Sequence, residues 1–363
     1  MNILFLNSNI GYGGASKMII WVANQCAERG HNVTVLTYRD GVENQNVSSK
    51  VNHIHVDLEK SKGINFGVLS TIIYLRRFII QHEYDLAIAF LPSSQIRLSL
   101  ACIGLKIKLL YSHRGDPYQR KKSIKMRFAE SLGNLLFSTA DYFVFQTEGA
   151  KQYYSKSIQN RSTIIPNPIN RLERTKERRG NVENKIVCVA RLDLYQKRQD
   201  ILITAFSLIE NNYPKVILEL YGDGNPKDEA YLRKLASSHP QIKFMGCIKK
   251  TEIVSHIQNA AIAVLSSDFE GIPNALLEYM SLGIPSISTD CSPGGAATII
   301  KNNLNGLLVP PHNPIELSKA IAYLLDNFDE AERMGREGQK VIEEFSESKI
   351  CSMWMNVIHK LCS

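Results

Sequence analysis

Two carboxylates in the segment 269–280, FEGIPNALLEYM, are spaced to serve one ligand. Glu270 follows the apolar run AIAVLSS and precedes a Gly-Ile-Pro-Asn turn, and Glu278 lies in the helix predicted after that turn. Pro273 suits the first position of this helix, because the N–H that proline lacks would find no partner there. The segment therefore predicts one carboxylate in a loop and a second on a helix beside it.

The N-terminus of the same predicted helix suits an anion. The free N–H groups of Asn274, Ala275 and Leu276 would point outward, and phosphate is their most natural ligand. Glu278 comes four residues after Asn274 and so shares the face of this N-terminus. A sugar nucleotide needs such a site, because its hydroxyls require acceptors and its diphosphate requires donors. The alternative is a helix that only carries acids near its favourable end.

A glycine-rich loop, residues 9–16, follows the first predicted strand and opens the first predicted helix. Gly13 and Gly14 would let the backbone approach a ligand beside the helix N-terminus without a clash from a Cβ. The loop is not a dinucleotide fingerprint, because Ser16 stands where the third glycine is needed and no acid ends the second strand. A tight strand–helix turn is the alternative.

Other strand ends carry charged or glycine residues. Arg191 closes the strand KIVCVA and Lys197 precedes a helix, so both cations could stabilise negative charge on a departing diphosphate. His113 ends the strand IKLLYS, where it faces the ligand edge of a parallel sheet. The segments 221–224 and 244–248 place glycines after two further strands, where glycine often only turns the chain. Solvated surface residues are the alternative for each of these charges.

Several kinds of chemistry are excluded by what the sequence lacks. No Asp-x-Asp occurs, and no His, Cys and carboxylate set has metal-ligand spacing, so we expect no metal and no cofactor. The seven cysteines are scattered and odd in number, which predicts reduced thiols in a cytosol. No secretory signal is visible, and the most apolar stretch is interrupted by Arg76 and Arg77 before it reaches the roughly 18 residues of a spanning helix.

Short apolar runs alternate with helix-period segments along the whole chain, which predicts an α/β protein with parallel sheets. A length of 363 residues suggests two domains. The charged, proline-containing segment 164–185 between the halves predicts a linker, and we place the boundary near Asn170. The expected domains are 1–170 and 171–345, with a C-terminal helix at 346–363. Since ligands bind at the carboxyl ends of parallel strands, two such domains predict a site in the cleft between them.

The formal charge of +8 is concentrated between residues 101 and 129. Nothing resembles a nucleic-acid-binding module, so we expect no nucleic acid and favour an anionic membrane or lipid phosphate as partner. An amphipathic helix from Lys121 to Leu136 is predicted to lie at the membrane surface, although an ordinary cover helix is the alternative. The cations assigned to this contact are Lys106, Lys108, Arg120, Lys121, Lys122, Lys125 and Arg127; Arg114 lies in the same basic segment.

The Glu-x7-Glu pattern, with the other motifs in this order, resembles the retaining glycosyltransferases of family 4. The resemblance covers nearly the whole chain and is strongest over residues 185–311. It implies the GT-B fold, in which two tandem Rossmann-like, doubly wound domains face a central cleft and the last helix crosses back to the first domain. The first domain would bind the acceptor and the second the donor.

The resemblance also implies roles for individual residues. Glu270 would hold the sugar hydroxyls and Glu278 the ribose hydroxyls. Arg191 and Lys197 would hold the diphosphate, although Lys197 comes six residues after Arg191 where five is common, which leaves Arg198 as an alternative. His113 would contact the transferred sugar, where many relatives carry Ser-Glu-Arg-Asn-Asp-Pro instead. The remaining donor-binding residues would be Gly13, Gly14, Gly222, Ile248, Gly271, Asn274, Ala275 and Leu276.

The resemblance implies an enzyme that moves a hexosyl or N-acetylhexosaminyl group, with retention and without a metal. The donor would be a nucleotide diphosphate sugar, most commonly a UDP-sugar. The acceptor would be a glycan or lipid-linked sugar in bacterial cell-surface polysaccharide synthesis, and the enzyme would be cytoplasmic or peripheral at the inner face of the membrane. Two alternatives are a GT-B sugar-nucleotide epimerase and a non-catalytic, sugar-nucleotide-binding subunit of a transferase pair.

Overall fold

The computed structural model describes residues 1–11, 13–39, 46–56, 64–119, 133, 135–169, 172–175, 178, 180–249 and 251–363. The chain divides into two compact units. The first comprises Met1–Pro166 together with Ile350–Ser363, and the second comprises Asn167–Lys349. Each unit is a parallel sheet with helices, so the predicted α/β class is confirmed.

The first unit is built on a seven-stranded parallel sheet in the order β3-β2-β1-β4-β5-β6-β7. Its strands are β1 (Asn2–Asn7), β2 (Asn32–Thr37), β3 (Val51–His55), β4 (Leu86–Ala89), β5 (Lys108–His113), β6 (Tyr142–Phe145) and β7 (Ser162–Ile164). Its helices within the described ranges are Gly14–Glu28, Ile64–His82, Pro92–Ala101, Glu148–Gln152 and Lys156–Asn160, joined by most of Glu347–Cys362. The apolar runs NILFLN, NVTVLT, HIHV, DLAIAF, IKLLYS and DYFVFQ predict β1 to β6. No such run predicts β7, which has only three, half-buried residues at the sheet edge.

The second unit has a six-stranded parallel sheet in the order β10-β9-β8-β11-β12-β13. Its strands are β8 (Glu183–Val189), β9 (Ile217–Tyr221), β10 (Ile242–Gly246), β11 (Ala260–Leu265), β12 (Ser286–Thr289) and β13 (Leu307–Val309). Its helices are Gln199–Ser207, Pro226–Leu235, Ile253–Ile257, Asn274–Ser281, Gly295–Ile299, Pro314–Asp326, Phe328–Gly338 and Val341–Glu344, with a short 3-10 turn at Glu210–Asn212.

The order of strands reverses between β1 and β4 in the first sheet and between β8 and β11 in the second. In open α/β sheets the crevice outside the carboxyl ends of two such strands is the usual ligand position. The glycine-rich loop follows β1, Arg191 follows β8 and Glu270 follows β11. Each unit therefore brings predicted site residues to its own switch point.

The helix Glu347–Cys362 completes the core of the first unit. Trp354 is fully buried, and its ring stacks on Phe90 with 5.5 Å between centroids. Ile350 and Ile358 of the same helix belong to the cluster that contains the inward side chains of β1. Burying a large apolar side chain contributes roughly 1.5–3 kcal/mol, so this helix contributes strongly to the stability of the first unit.

One cation of the predicted basic segment is not a surface residue. The Arg114 guanidinium lies over the rings of Phe90 and Trp354, 5.2 Å and 5.3 Å from their centroids, and Nη1 donates to the carbonyl of Ile165 at 2.8 Å. Desolvation by burial lowers the pKa of Arg114 to about 9. Arg114 is thus a packing residue, and the predicted helix Lys121–Leu136 lies largely outside the described residues.

Candidate active site

The Glu270 carboxylate is fixed just beyond the carboxyl end of β11. Glu270 is 7% exposed. Its Oε1 accepts a hydrogen bond from Ser267 Oγ at 2.9 Å and forms an ion pair with Lys197 Nζ. The Glu270 N–H donates to the carbonyl of Ser292 at 2.9 Å. Both the backbone and the side chain of Glu270 are therefore held, and a cation already lies against the carboxylate.

The loop after β8 is shaped by Asp193 so that it reaches Glu270. Asp193 Oδ1 accepts the N–H groups of Tyr195 at 2.8 Å and Gln196 at 2.9 Å. Gln196 Nε2 then donates to the carbonyl of Phe269 at 3.1 Å, which joins the two loops directly. Burial opposes ionisation of Asp193, but these two hydrogen bonds and Arg191 outweigh it and lower its pKa. Asp193 stays charged at neutral pH and keeps the loop in place.

Arg191 and Lys197 differ in their exposure and in their ion-pair partners. Arg191 pairs with Asp193, but its side chain remains 64% exposed. Lys197 is directed at Glu270. Arg198 has a left-handed backbone (φ 51°), and its guanidinium is hydrogen-bonded to Asp200 at 2.9 Å and to Asp268 at 2.7 Å. This geometry favours Lys197 over Arg198 as the cation beside the carboxylate.

The helix after Glu270 begins one residue later than predicted. Pro273 is the residue before the helix Asn274–Ser281, with ψ 105°, and is not its first member. The Leu276 N–H donates to the Pro273 carbonyl at 3.1 Å, so the prediction of a free N–H at Leu276 is wrong. Asn274 and Ala275 supply the remaining amides of the first turn, and no described residue accepts from either. The Asn274 side chain accepts from Asn167 Nδ2 at 2.9 Å.

Tyr279 anchors this helix against β8. Its hydroxyl accepts the N–H of Val189 at 2.6 Å, and the ring is fully buried. Burial raises the pKa of Tyr279 well above its ordinary value, so the hydroxyl stays protonated. The half-buried Glu278 precedes Tyr279 and therefore has a fixed position relative to the end of β8. The sequence alone does not single out Tyr279, since an aromatic residue in a helix usually indicates only a core position.

Glycines allow the loops of this site to pack backbone against backbone. A Cβ on Gly222 would lie 2.2 Å from the Ala190 carbonyl oxygen. A Cβ on Gly295 would lie 1.4 Å from the Gly271 carbonyl oxygen and 2.8 Å from that of Glu270. Chain packing alone therefore requires glycine at 222 and 295. Gly295 was not predicted as a site residue, although the Pro-Gly-Gly run at 293–295 signals a tight turn.

Ile248 is partly buried against the core of the second unit.

Gly13, Gly14 and His113 belong to the first unit. The glycine-rich loop is held by Asn7, whose Nδ2 donates to the carbonyl of Asn9 at 2.7 Å and to Ser16 Oγ at 3.1 Å. A Cβ on Gly13 or Gly14 would meet no described atom within 4 Å, so packing does not explain these two glycines.

His113 is the last residue of β5, and its Nδ1 hydrogen-bonds with the Tyr154 hydroxyl at 3.1 Å. The structure thus holds the ring of His113 in one orientation.

No helix in the described part of the chain is long and apolar enough to cross a bilayer. Among the described residues, no group of three or more His, Cys, Asp or Glu side chains is placed to hold a metal ion.

Known proteins resemble this chain over its whole length. The model of the glycosyl transferases group 1 matches residues 170–341, and that of glycosyltransferase family 4 matches residues 12–171. An uncharacterized glycosyltransferase of Haemophilus influenzae is 26% identical and covers 98% of this chain and 99% of its own. An alpha-1,4-N-acetyl-D-galactosaminyltransferase of Campylobacter jejuni, whose name gives a PP-undecaprenol-linked acceptor, is 23% identical over 99% of this chain and 98% of its own. Among solved structures, HepE of Anabaena in complex with UDP has a TM-score of 0.82 at 17% identity and covers 99% of this chain and 100% of its own.

Proposed function

The chain belongs to the family 4 glycosyltransferases of GT-B fold, and from this premise we propose that it moves a sugar from a UDP-sugar to a glycan or lipid-linked acceptor. One observation carries the proposal. Glu270 and the two amides of Asn274 and Ala275 lie within one short segment after β11, at the switch point of the second sheet, and Lys197 from the loop after β8 pairs with Glu270 there. A carboxylate, a cation and a helix N-terminus together provide what a sugar diphosphate requires.

Each of these groups binds the part of the donor that it complements in charge and hydrogen bonding. Glu270 accepts hydrogen bonds from the sugar hydroxyls, and Glu278 accepts them from the ribose. Arg191, Lys197 and the amides of the helix N-terminus hold the diphosphate, because each presents positive potential. Gly13 and Gly14 belong to the first unit and leave open space at their Cα atoms, so that the backbone there can approach a ligand.

We propose that transfer retains the anomeric configuration. The bond between the anomeric carbon and the diphosphate oxygen breaks, and the acceptor hydroxyl oxygen bonds to that carbon from the same face. The departing phosphate takes the proton of the acceptor hydroxyl. Glu270 is committed to Lys197 and Ser267 and serves to bind sugar. This geometry supports front-face departure over a covalent enzyme intermediate.

A panel of UDP-, GDP- and ADP-sugars tests the donor class. We expect UDP-sugars to raise the melting temperature of the protein, since a ligand that binds only the folded state stabilises it in proportion to its affinity. UDP is favoured because it is common in the family and is bound in HepE. A shift with a GDP-sugar alone would overturn the choice of base. No shift with any nucleotide sugar would contradict the donor site itself.

Glu278→Gln and Glu270→Gln should have different consequences. Glu278→Gln should weaken donor affinity by about tenfold to about a hundredfold, because charge-assisted hydrogen bonds contribute roughly 1.5–3 kcal/mol. Glu270→Gln should reduce kcat more than donor affinity, since it touches the reacting sugar. Calorimetric titration of donor and steady-state kinetics measure the two effects. The exposed Glu343→Gln is the matched control, and wild-type behaviour of both site variants would remove this segment from the donor site.

The acceptor should bind the first unit. We propose that the acceptor is lipid-linked and that the enzyme meets an anionic membrane surface from that unit. Lys106 is exposed, and Lys108 pairs with Asp141 at 3.1 Å. The other cations assigned to this contact, from Arg120 to Arg127, lie outside the described residues.

A further inference from the structure

The outward face of the helix Ile64–His82 is aliphatic. Leu69 is 56% exposed, Ile73 46% and Ile80 56%, and their spacing places them on one side of the helix. The opposite side is also apolar, and its Leu75 is fully buried in the first unit. An apolar stripe on a helix normally packs against other apolar groups. The exposed side therefore calls for a partner that favours aliphatic groups.

A neighbouring loop extends this face. Arg76 Nη1 donates to the carbonyls of Ala101 at 3.0 Å and Ile103 at 2.6 Å, and so holds the loop beside the helix. Ile103 itself is 63% exposed. The aliphatic patch consists of the side chains of Leu69, Ile73, Ile80 and Ile103.

Basic residues neighbour the aliphatic patch in the sequence. The helix contains no Asp or Glu over residues 64–82, and Arg77 is exposed on it. Lys106 is exposed three residues after Ile103. The nearest acid in the sequence is the exposed Glu83 just beyond the helix. The exposed cations Arg77 and Lys106, with Arg76, are thus close in sequence to the aliphatic side chains, and the exposed acids Glu83 and Asp85 follow the end of the helix.

We propose that the aliphatic patch is the membrane-docking surface of the protein, inserting among the headgroups of an anionic bilayer while Arg77 and Lys106 contact lipid phosphates. The inference rests on the proposed use of a lipid-linked acceptor and names the surface that would bring the first unit to it. It differs from the basic segment because it relies on aliphatic insertion as well as charge. Interfacial helices combine these two features.

A second copy of the chain is the less suitable occupant. A stable interface buries roughly 800 Å² on each partner, and four side chains near half exposure supply much less. A two-fold contact would also bring Arg77 and Lys106 of each copy against like charges. A bilayer meets neither obstacle, since its phosphates complement both cations.

Vesicle co-sedimentation of the full chain tests the proposal. The probes are vesicles of phosphatidylglycerol and phosphatidylcholine in equal amounts, and vesicles of phosphatidylcholine alone. We expect binding to the anionic vesicles, and we expect L69E/I73E to reduce the partition coefficient by at least about tenfold. Arg77→Gln should reduce it by about fivefold, the contribution of one cation near an anionic surface. The matched control is L208E/I315E in the second unit, where Leu208 is 55% exposed and Ile315 57%.

Three outcomes would overturn the docking surface. They are no binding of the wild type to anionic vesicles, equal loss in L69E/I73E and L208E/I315E, and a wild-type dimer in sedimentation equilibrium that L69E/I73E converts to a monomer. Melting temperature and UDP affinity are measured on the same variants. Retained UDP affinity with lost vesicle binding supports the proposal, whereas absent UDP binding in the wild type counts against the transferase proposal alone.

Discussion

Lys197→Ala and Arg191→Ala should each lower kcat by about two orders of magnitude or more, with a smaller effect on donor affinity. In the proposed function, both cations stabilise charge that would grow on the diphosphate only as the bond to the sugar breaks. In the structure Lys197 also neutralises the 7% exposed Glu270. Removing it leaves a nearly buried carboxylate without its ion pair. Initial rates measured over a range of donor concentrations separate kcat from KM.

The control for these variants is Lys215→Ala, since Lys215 is exposed in the turn before β9. It should match wild type in kcat and KM. Activity of the wild type should also survive EDTA, because in the proposed function the two cations and the helix N-terminus take the place of a metal. Loss of activity in EDTA with recovery in Mg²⁺ or Mn²⁺ would show that the charge of the leaving group is stabilised differently.

Gly295→Ala should damage both stability and turnover, although residue 295 touches no proposed ligand group. Its Cβ would fall 1.4 Å from the Gly271 carbonyl oxygen, a distance that only a backbone shift can relieve. Overpacking of this kind costs about 1–3 kcal/mol. Because the shift displaces the loop of Glu270, kcat should fall by about a hundredfold, as it does when reacting groups move by about 1 Å.

Thermal denaturation and steady-state kinetics check this prediction together. Gly14→Ala is the control for stability, since a Cβ there would meet no described atom within 4 Å. It should melt at the wild-type temperature. A Gly295→Ala protein with wild-type melting temperature and kcat would show that the 270–271 and 295 segments separate freely.

The fold was largely predictable because buried parallel strands carry an unambiguous signal. β1, β5 and β11 are near-continuous apolar runs, and each was expected where it occurs. β7 lacked that signal, since Ser162–Ile164 is short and half-buried at an edge. The start of the helix after Glu270 was misplaced by one residue, because proline is favoured at the first helical position yet also fits the position before it.

The candidate site was predictable only where its residues lie close together in the sequence and form a motif. Glu270, Glu278 and the Asn274 turn lie within nine residues of one another, so a motif reveals them. The contacts that hold the site in place join residues that are far apart in the sequence. Lys197 pairs with Glu270 across 73 residues, and the Tyr279 hydroxyl meets Val189 across 90. Contacts of that separation depend on the order of strands, which residue types alone do not specify.

The helix Glu347–Cys362 has a consequence for the order in which the protein folds. Its Trp354 and Ile358 complete the core begun by β1, yet they are synthesised after the entire second unit. During synthesis on the ribosome the second unit can therefore fold first. The sheet of the first unit, although synthesised earlier, still exposes one apolar face at that stage. Ile3 and Ile358 belong to one core cluster although they lie near opposite ends of the sequence, and cores assembled from such distant segments slow folding. The nascent first unit is thus the species most in need of a chaperone.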